Sequence, residues 1–335
     1  MQKSNAALVI TSISPPNPVL RDYASQCQQR GVDFILVGDV PSPADFAVDG
    51  CDFWGLARQK ALPFELARAL PERHYARKNL GYLLAMQRKR EVIVETDDDN
   101  FALPAFWQQR QLRQRARTAR QTGWLNVYRF FSDANIWPRG FPLEALGRPL
   151  PVLDSAETEV ECPIQQGLAD ENPDVDAIYR MILPLPQNFD KPGRIALGQD
   201  AWCPFNSQNT TWFKPAFPLL YLPSYCSFRM TDIWRSFVAL AIAWANGWKI
   251  LFHEPTVRQV RNEHNLLRDF ADEVPGYLNN DKIVRMIAEL DLPTGLEHIP
   301  DNLRKCYRGL IALDLVGAAE LALLDAWLDD IESLT

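Results

Sequence analysis

Three consecutive aspartates, Asp97, Asp98 and Asp99, follow an apolar run in this 335-residue chain, in a segment that reads EVIVETDDDN. Adjacent like charges repel one another and cannot be buried unpaired, so a cation or solvent must take up their charge. Carboxylate oxygens are preferred ligands of Mg²⁺ and Mn²⁺, and these ions bridge carboxylates to phosphates. The pattern predicts a Mn²⁺ or Mg²⁺ site with Asp97 and Asp99 as ligands. The alternative is a solvated acidic turn.

A helix whose start is rich in basic and amide groups precedes this run. Arg77, Lys78 and Asn79 come first, and apolar residues at helical spacing continue to Met86. Guanidinium and ammonium groups bind phosphate oxygens, and a helix start adds free N–H donors. Beside the metal carboxylates, these groups predict a diphosphate site. The alternative is an Arg–Lys pair on a solvated surface.

The first third of the chain alternates strand-like and helical patterns, as a nucleotide-binding α/β unit does. We expect strands at Ala7–Ile13, Asp33–Val37, Cys51–Trp54 and Val92–Thr96, and helices at Pro18–Arg30, Ala57–Leu70 and Tyr75–Gln87. Ligands of such sheets bind at the carboxyl ends of the strands. The loops that follow the strands should therefore carry the site.

The remainder of the chain is less regular. Trp124–Phe131 and Lys249–Phe252 are predicted to be strands, and the proline-rich residues 132–230 should form loops over the sheet. The acidic segment Asp170–Asp176 is interpreted as a solvated turn, with orientation of an acceptor as the alternative. Beyond residue 275 we expect helices, including Asp301–Leu315 and Ala318–Ile331.

Motifs spread over roughly residues 6–272 resemble the STELLO family of glycosyltransferase-like proteins. They are Val9–Asn17, Val37–Asp39, Tyr75–Gly81, Glu95–Asn100, Pro204–Thr210, Arg229–Arg235 and Val260–Phe270. The Ala-Arg-x-Asn-x-Gly and Asp-x-Asp blocks are also similar, more distantly, to GT-A glycosyltransferases at large, including the reversibly glycosylated polypeptides.

The resemblance implies an α/β fold of the GT-A type, a Rossmann-like nucleotide-diphospho-sugar transferase domain over residues 1–272. Its nucleotide half would cover about 1–131 and its acceptor half about 132–272. A C-terminal helical extension over residues 273–335 would follow.

The resemblance also implies ligand contacts for polar residues in the loops. The nucleotide sugar would be held by Thr11, Ser12, Ser14, Asp39, Arg77, Lys78, Asn79, Asp97 and Asp98, and the acceptor by Asn206, Gln208, Asn209, Arg229 and Arg235. Asp39 would hydrogen-bond the base or ribose. Amides among aromatic rings suit sugar recognition. The alternatives are loops that satisfy their own backbone and an aromatic cluster that is plain core.

Two further roles follow from the resemblance. Asp232 lies in the first turn of a predicted helix with Thr231 as its N-cap, where GT-A enzymes often place the base of an inverting transfer. Its alternative role is to complement the helix dipole. GT-A enzymes commonly take a third metal ligand from a C-terminal histidine, and His264 is the candidate, with His253 in reserve. A structural hydrogen-bonding role is the alternative for His264.

Composition and charge narrow the class of protein. The formal net charge of −7 argues against nucleic acid as a partner. Residues 101–132 contain no acidic residue but six arginines, which we interpret as a solvated helix face; the alternative is a basic surface that attracts an anionic lipid leaflet or a pyrophosphate-linked acceptor. The arginines are Arg110, Arg113, Arg115, Arg117, Arg120 and Arg129.

The expected cellular location of the protein rests on its N-terminal sequence and its cysteines. We expect no signal peptide, and no N-terminal membrane anchor of the kind that plant STELLO proteins have. Six scattered cysteines favour reduced thiols. These features predict a cytoplasmic protein, with peripheral contact at the inner face of the membrane and homodimerisation as further hypotheses.

The sequence as a whole predicts a metal-dependent hexosyl- or pentosyltransferase. It would move a sugar from a nucleotide-diphosphate sugar to a glycan or lipid-linked glycan acceptor in cell-surface polysaccharide synthesis. The alternatives are a nucleotide-sugar mutase or self-glycosylating protein, and a non-catalytic nucleotide-sugar-binding scaffold. The presence of Asp97, Asp99, Asp232 and His264 together favours catalysis. The sugar, the acceptor, and inversion or retention of configuration stay open.

Overall fold

The computed structural model of the protein describes residues 4–150, 153–262 and 265–334. The strands are β1 (Ala6–Thr11), β2 (Asp33–Val37), β3 (Asp52–Trp54), β4 (Val92–Thr96), β5 (Asn100–Ala102), β6 (Arg113–Ala119), β7 (Gly123–Trp124), β8 (Thr158–Glu161), β9 (Ile164–Asp170), β10 (Arg194–Leu197), β11 (Ala201–Trp202), β12 (Asn209–Phe213) and β13 (Ile250–Gln259). The α-helices are α1 (Pro18–Arg30), α2 (Leu56–Lys60), α3 (Glu65–Ala69), α4 (Lys78–Gln87), α5 (Ala177–Ile182), α6 (Thr231–Ala245), α7 (Leu266–Ala288), α8 (Ile299–Ala312) and α9 (Glu320–Leu334).

One mixed sheet of eleven strands organises the described part of the chain, in the order β3-β2-β1-β4-β12-β9-β13-β10-β6-β8 with β5 paired to β13. The first four strands in this order run parallel, and β12 lies antiparallel beside β4. The carboxyl ends of β1, β2 and β4 therefore meet at one edge. This sheet, with helices on both faces, confirms the predicted α/β class with a Rossmann-like arrangement of its parallel strands.

Alternation along β1 explains why both faces of the sheet are covered. Leu8 and Ile10 pack with α1 on one face, whereas Ala7 and Val9 pack with α4 on the other. Helix α1 begins where the Asn17 side chain accepts a hydrogen bond from the Leu20 N–H at 2.9 Å. The loop from β1 into α1 is thereby fixed at the edge where ligands bind.

Helix α4 lies so close to the sheet that one position requires glycine. A Cβ atom on Gly81 would come within 2.5 Å of Val9 Cγ1 and 3.0 Å of Val37 Cγ2. This close packing brings the start of α4, with Arg77 and Lys78, beside the carboxyl end of β4.

The predicted C-terminal helical part is confirmed, and α7 runs across the boundary expected at residue 272. Helix α9 is tied to the rest of the molecule by two buried carboxylates. Glu320 accepts hydrogen bonds from the Ser224 N–H at 2.9 and 3.0 Å and from the Tyr225 N–H at 2.6 Å. Asp330 accepts from the first two N–H groups of α3, both at 2.9 Å. The last helix therefore supports segments next to the sheet edge.

Several predicted elements are wrong. Trp124–Phe131 is strand only over β7 and then turns into a 3-10 helix at Val127–Phe130, because a short, mostly apolar run does not distinguish strand from helix. The expected helix Ala57–Leu70 is broken into α2 and α3, with Pro63 between them. Thr231 is the first residue of α6 rather than its N-cap, since a 3-10 turn over Phe228–Met230 leads directly into the helix.

The arginine-rich stretch contains the strand β6 rather than a helix face. Strand β8 lies antiparallel beside it and places acidic residues opposite the arginines. Arg113 lies 3.7 Å from both Glu159 and Glu161, and Arg120 lies 2.8 Å from Asp154. Acidic residues distant in sequence thus offset part of this basic surface. In residues 4–150, 153–262 and 265–334, no helix has the length and apolar character that crossing a bilayer requires.

Candidate functional site

A cavity of about 700 Å³ opens at the carboxyl edge of β1, β2 and β4. Residues predicted for the site that line this cavity are Thr11, Ser12, Ser14, Asp39, Arg77, Asp97, Asp98, Asp99, Gln208, Arg229 and Asp232. The cavity lining does not include Lys78, Asn79, Asn206, Asn209, Arg235 or the reserve ligand His253. His264 lies outside the described residues, so its place at the metal stays a prediction.

The acidic loop after β4 is held by different partners at each carboxylate. Asp97 lies 3.5 Å from Lys78 Nζ and keeps 31% of its side chain exposed. Asp98 accepts a hydrogen bond from Ser12 Oγ. Asp99 accepts from Gln259 Nε2 at 3.1 and 3.2 Å. The three side chains are therefore oriented by β1, α4 and β13 together.

The electrostatics of this loop suit a bound cation. Burial raises the pKa of Asp97 to about 7, with Lys78 opposing the shift and Asp99 and Asp98 adding to it. Burial also raises the pKa of Asp99, although the hydrogen bond from Gln259 opposes it. No group of three or more metal-ligating side chains is found within the described part of the chain. Two carboxylates nevertheless fit Mg²⁺ or Mn²⁺, which complete their shells with substrate phosphates and water.

Lys78 is fully buried, so it contacts the acidic loop Asp97–Asp99 instead of the cavity. Its Nζ donates to the Thr96 carbonyl at 2.9 Å and to Tyr75 Oη at 2.8 Å. The sequence predicted a phosphate contact, whereas in the structure the ammonium group fixes the backbone that carries Asp97.

Arg77 and Asn79 are likewise turned into the fold. Arg77 Nε donates to Gln59 Oε1 at 2.7 Å and Nη1 donates to the Leu70 carbonyl at 3.2 Å, while Nη2 is buried without a partner. The Asn79 amide bonds the backbone of Leu222 through both of its groups, at 2.9 Å each. Arg77 still borders the cavity, but Asn79 has a structural position.

Asp39 holds its own loop in the cavity wall. Its carboxylate accepts hydrogen bonds from the N–H groups of Arg73 at 2.9 Å, His74 at 2.8 Å and Val40 at 2.7 Å. These bonds use much of its acceptor capacity. Contact with a base or ribose stays a prediction for this residue.

Among the predicted acceptor residues, Gln208 and Arg229 reach the cavity. Asn206 and Asn209 are buried, and Asn209 Nδ2 donates to the Leu168 carbonyl at 2.9 Å and to Thr256 Oγ1 at 2.8 Å. The aromatic residues around them belong to the core, namely Trp202, Phe205, Trp212 and Phe217. Arg235 forms a fully buried ion pair with Glu95 at 2.7 Å. Arg229 pairs with Glu273 at 2.9 Å.

Asp232 lines the cavity, and both of its oxygens are occupied. Oδ1 accepts from Arg139 Nη1 at 3.0 Å, and Oδ2 accepts from Arg139 Nη2 at 2.9 Å and from the N–H and Oγ of Ser207 at 3.1 Å. Burial alone would raise the pKa of Asp232, but the Arg139 guanidinium outweighs it and holds the pKa well below its usual range. The carboxylate is thus ionised and weakly basic, which disfavours a role as catalytic base.

The sequence did not single out Arg139 as part of this site. Its guanidinium lies between two carboxylates, since it also bonds Asp174 at 2.9 Å. Asp174 and Asp176 are buried. The interpretation of Asp170–Asp176 as a solvated turn is therefore wrong at these two positions. Acidic residues that follow a buried strand were the available signal for Asp174, whereas the residues around Arg139 carry no recognisable motif.

Comparison with known proteins supports the resemblance noted in the sequence. A family model of STELLO glycosyltransferases matches residues 229–335, beyond the limit of residue 272 that the motifs indicated. The chain is 27% identical over 282 residues to "Probable glycosyltransferase STELLO2" of Arabidopsis thaliana, a match that covers 77% of this chain and 36% of that protein. It is 26% identical to "Probable glycosyltransferase STELLO1" of the same plant, with the same shares covered. This chain therefore spans about a third of the length of these two relatives. Both kinds of comparison confirm the predicted resemblance: the chain is similar to the STELLO glycosyltransferases.

Proposed function

We propose that this protein is a metal-dependent glycosyltransferase that takes a hexose or pentose from a nucleotide-diphosphate sugar. The main support is the position of Asp97 and Asp99, which line the cavity where the loops after β1, β2 and β4 meet. That edge is where nucleotide ligands of α/β sheets bind. The acceptor would be a glycan or lipid-linked glycan, in cell-surface polysaccharide synthesis.

In the proposed reaction the bond between the anomeric carbon and a phosphate oxygen breaks, and the leaving nucleoside diphosphate takes the electron pair. Mn²⁺ or Mg²⁺ bound by Asp97 and Asp99 would neutralise the charge that develops on the diphosphate. The acceptor hydroxyl oxygen forms the new bond to the anomeric carbon and gives up its proton to a base.

The protein's own residues prepare this step. Lys78 and Gln259 orient Asp97 and Asp99. The cavity wall also carries the guanidinium groups of Arg139, Arg229 and Arg261, and a carboxylate partner offsets part of the charge of each. Positive groups in a cavity with little water stabilise anions better than they do in bulk solvent. Asp232 as the base remains the hypothesis from the sequence, and its ion pair with Arg139 argues against it.

The alternatives predict different chemistry. A scaffold would bind the nucleotide sugar without turnover, and a mutase would interconvert sugar forms without an acceptor. Cytoplasmic location, peripheral membrane contact, homodimerisation and the domain limits at residues 131 and 272 also stay predictions.

The proposal predicts metal-dependent donor binding that requires Asp99. A panel of nucleotide-diphosphate sugars should raise the thermal midpoint only with Mn²⁺ or Mg²⁺ present, because a ligand bound to the folded state stabilises it by mass action. Asp99→Asn should remove this shift without unfolding the protein. Asp133→Asn makes the same chemical change on a side chain that is 89% exposed, and it should keep the shift.

Transfer is then measured by mass spectrometry of products with the donor that stabilises the protein. Unchanged nucleotide affinity in Asp99→Asn would refute the metal site. Binding without any turnover across a panel of glycan acceptors would favour the scaffold.

A further inference from the structure

A chain of hydrogen bonds connects the acidic loop Asp97–Asp99 to Asp232. Lys78 Nζ donates to Tyr75 Oη at 2.8 Å, Tyr75 Oη lies 2.7 Å from Ser207 Oγ, and Ser207 Oγ lies 3.1 Å from Asp232 Oδ2. Lys78 is the residue that also lies 3.5 Å from Asp97. This series of hydrogen bonds joins three parts of the fold that are far apart in the sequence: the start of α4, the segment that precedes β12, and the first turn of α6.

The direction of every bond in this chain is determined by its two ends. An ammonium group can only donate and a carboxylate can only accept. Tyr75 Oη therefore accepts from Lys78 and must donate to Ser207 Oγ, which in turn donates to Asp232. Burial raises the pKa of Tyr75 well above its ordinary value, so the phenol keeps the proton that the chain requires.

Both neighbours of Tyr75 in this series of hydrogen bonds are buried, whereas Tyr75 itself is half-buried. Lys78 is 0% exposed and Ser207 is 3% exposed. The Ser207 N–H also donates to Asp232 Oδ2 at 3.1 Å, so Ser207 contacts one carboxylate oxygen through two groups. Tyr75 and Ser207 both line the cavity, and the chain thus forms part of its wall.

We propose that Tyr75 and Ser207 are positioning residues that fix Asp232 relative to the acidic loop Asp97–Asp99. This inference rests on the proposed function, since it assigns the pair a task in sugar transfer. The fixed carboxylate would present its Oδ1, which accepts one hydrogen bond from Arg139, to a hydroxyl group of a sugar in the cavity. Hydrogen-bonded neighbours of this kind act as one unit, so removing one member should change the effect of removing another.

A double-mutant cycle on the ligand-free protein tests the chain without any assay of activity. Tyr75→Phe and Asp232→Asn, alone and together, are compared by urea unfolding. We expect their effects on the unfolding equilibrium constant to deviate from multiplicativity by about threefold or more. Tyr221→Phe is the matched control, because its hydroxyl group also bonds a buried carboxylate, that of Glu320, away from the cavity. It should combine with Asp232→Asn multiplicatively.

The second measurement uses the donor found by thermal stabilisation. Tyr75→Phe should reduce turnover by about 10-fold with little change in donor affinity, and it should cause no further loss in the Asp232→Asn background. If Asp232→Asn fails to fold, Ser207→Ala replaces it in both cycles.

If Tyr75→Phe and Asp232→Asn have multiplicative effects on the unfolding equilibrium constant, the hydrogen bonds do not couple the two residues, and the proposal is wrong. If the two substitutions are coupled in unfolding but Tyr75→Phe still reduces turnover in the Asp232→Asn background, the positioning role is wrong. Coupled unfolding without turnover by any donor would leave the chain intact and refute the proposed transferase, so the two failures are distinguishable.

Discussion

At the scale of single residues, cations predicted to face phosphate are turned into the fold. Lys78 is buried behind Asp97, and Arg77 bonds backbone carbonyl groups. Arg139, Arg229 and Arg261 line the cavity as Arg77 does, and each of these three is paired with a carboxylate. The reason is desolvation: a buried cation must find acceptors, and the nearest ones are the carbonyl groups of the site's own loops.

Asp232 gives a prediction at this scale. Asp232→Asn should reduce transfer by about 100-fold or more if the residue is the base, while donor binding persists. Because Arg139 holds its pKa low, the pH profile of the variant's residual activity should keep the shape of the wild-type profile. The rate of transfer as a function of pH is the measurement.

Asp174→Asn controls for loss of the arginine contact, since Asp174 bonds the same guanidinium. It should cost less activity than Asp232→Asn. Retention of the donor's anomeric configuration, or transfer by Asp232→Asn at near wild-type rate, would show that Asp232 is not an inverting base.

At the scale of elements, the last helix supports the cavity from behind. Glu320 at the start of α9 is 0% exposed and binds the loop at Tyr221, Ser224 and Tyr225, which leads towards α6 and Asp232. The family match to residues 229–335 takes in both α6 and α9.

Glu320→Gln should therefore destabilise the protein by about 2 kcal/mol, because an amide has one acceptor oxygen and turns a donor towards backbone N–H groups. The free energy of unfolding in urea measures the loss. Glu289→Gln makes the same change at an exposed residue just after α7 and should be nearly neutral. Equal stability of the two variants would mean that Glu320 does not secure the loop.

At the scale of the whole molecule, buried acids should make stability depend on pH. Burial raises the pKa of Asp176 to about 6, although hydrogen bonds from Tyr179 and Trp137 oppose the shift. Burial also raises the pKa of Glu320 and of Asp330, against their own hydrogen bonds. The folded state then holds more protons than the unfolded chain in mildly acidic solution, so this contribution is complete below the unfolded pKa values and is lost as pH rises through the folded ones.

The wild-type protein should thus unfold more readily at about pH 7 than at about pH 5. In Asp176→Asn the loss of stability between pH 5 and pH 7 should be smaller by about 1 kcal/mol, whatever the variant's stability at any one pH. Urea unfolding at a series of pH values is the measurement, and Asp133→Asn is the exposed control. A slope unchanged in Asp176→Asn would contradict the raised pKa.

The sequence by itself determined β1, α1, β2 and β4 and the residues at the carboxyl edge of these strands. Buried strands appear in the sequence as unbroken apolar runs and α1 as a helical pattern, and the positions of these elements were close to those predicted. The acidic triplet was recognisable because polar residues that end a buried strand must lie at a sheet edge. The family resemblance was visible in short motifs at strand ends and helix starts.

Only the tertiary structure decided which charges meet. Arg139 and Asp174 join Asp232 across 93 and 58 positions of sequence, and β8 brings acidic residues beside the arginines of β6. Lys78, Tyr75, Ser207 and Asp232 form one chain only after β4, β12 and α6 have packed together. Local pattern fixes the face on which a side chain lies. Its partner, and hence its charge state, depends on contacts between distant segments, which single-sequence periodicity does not contain.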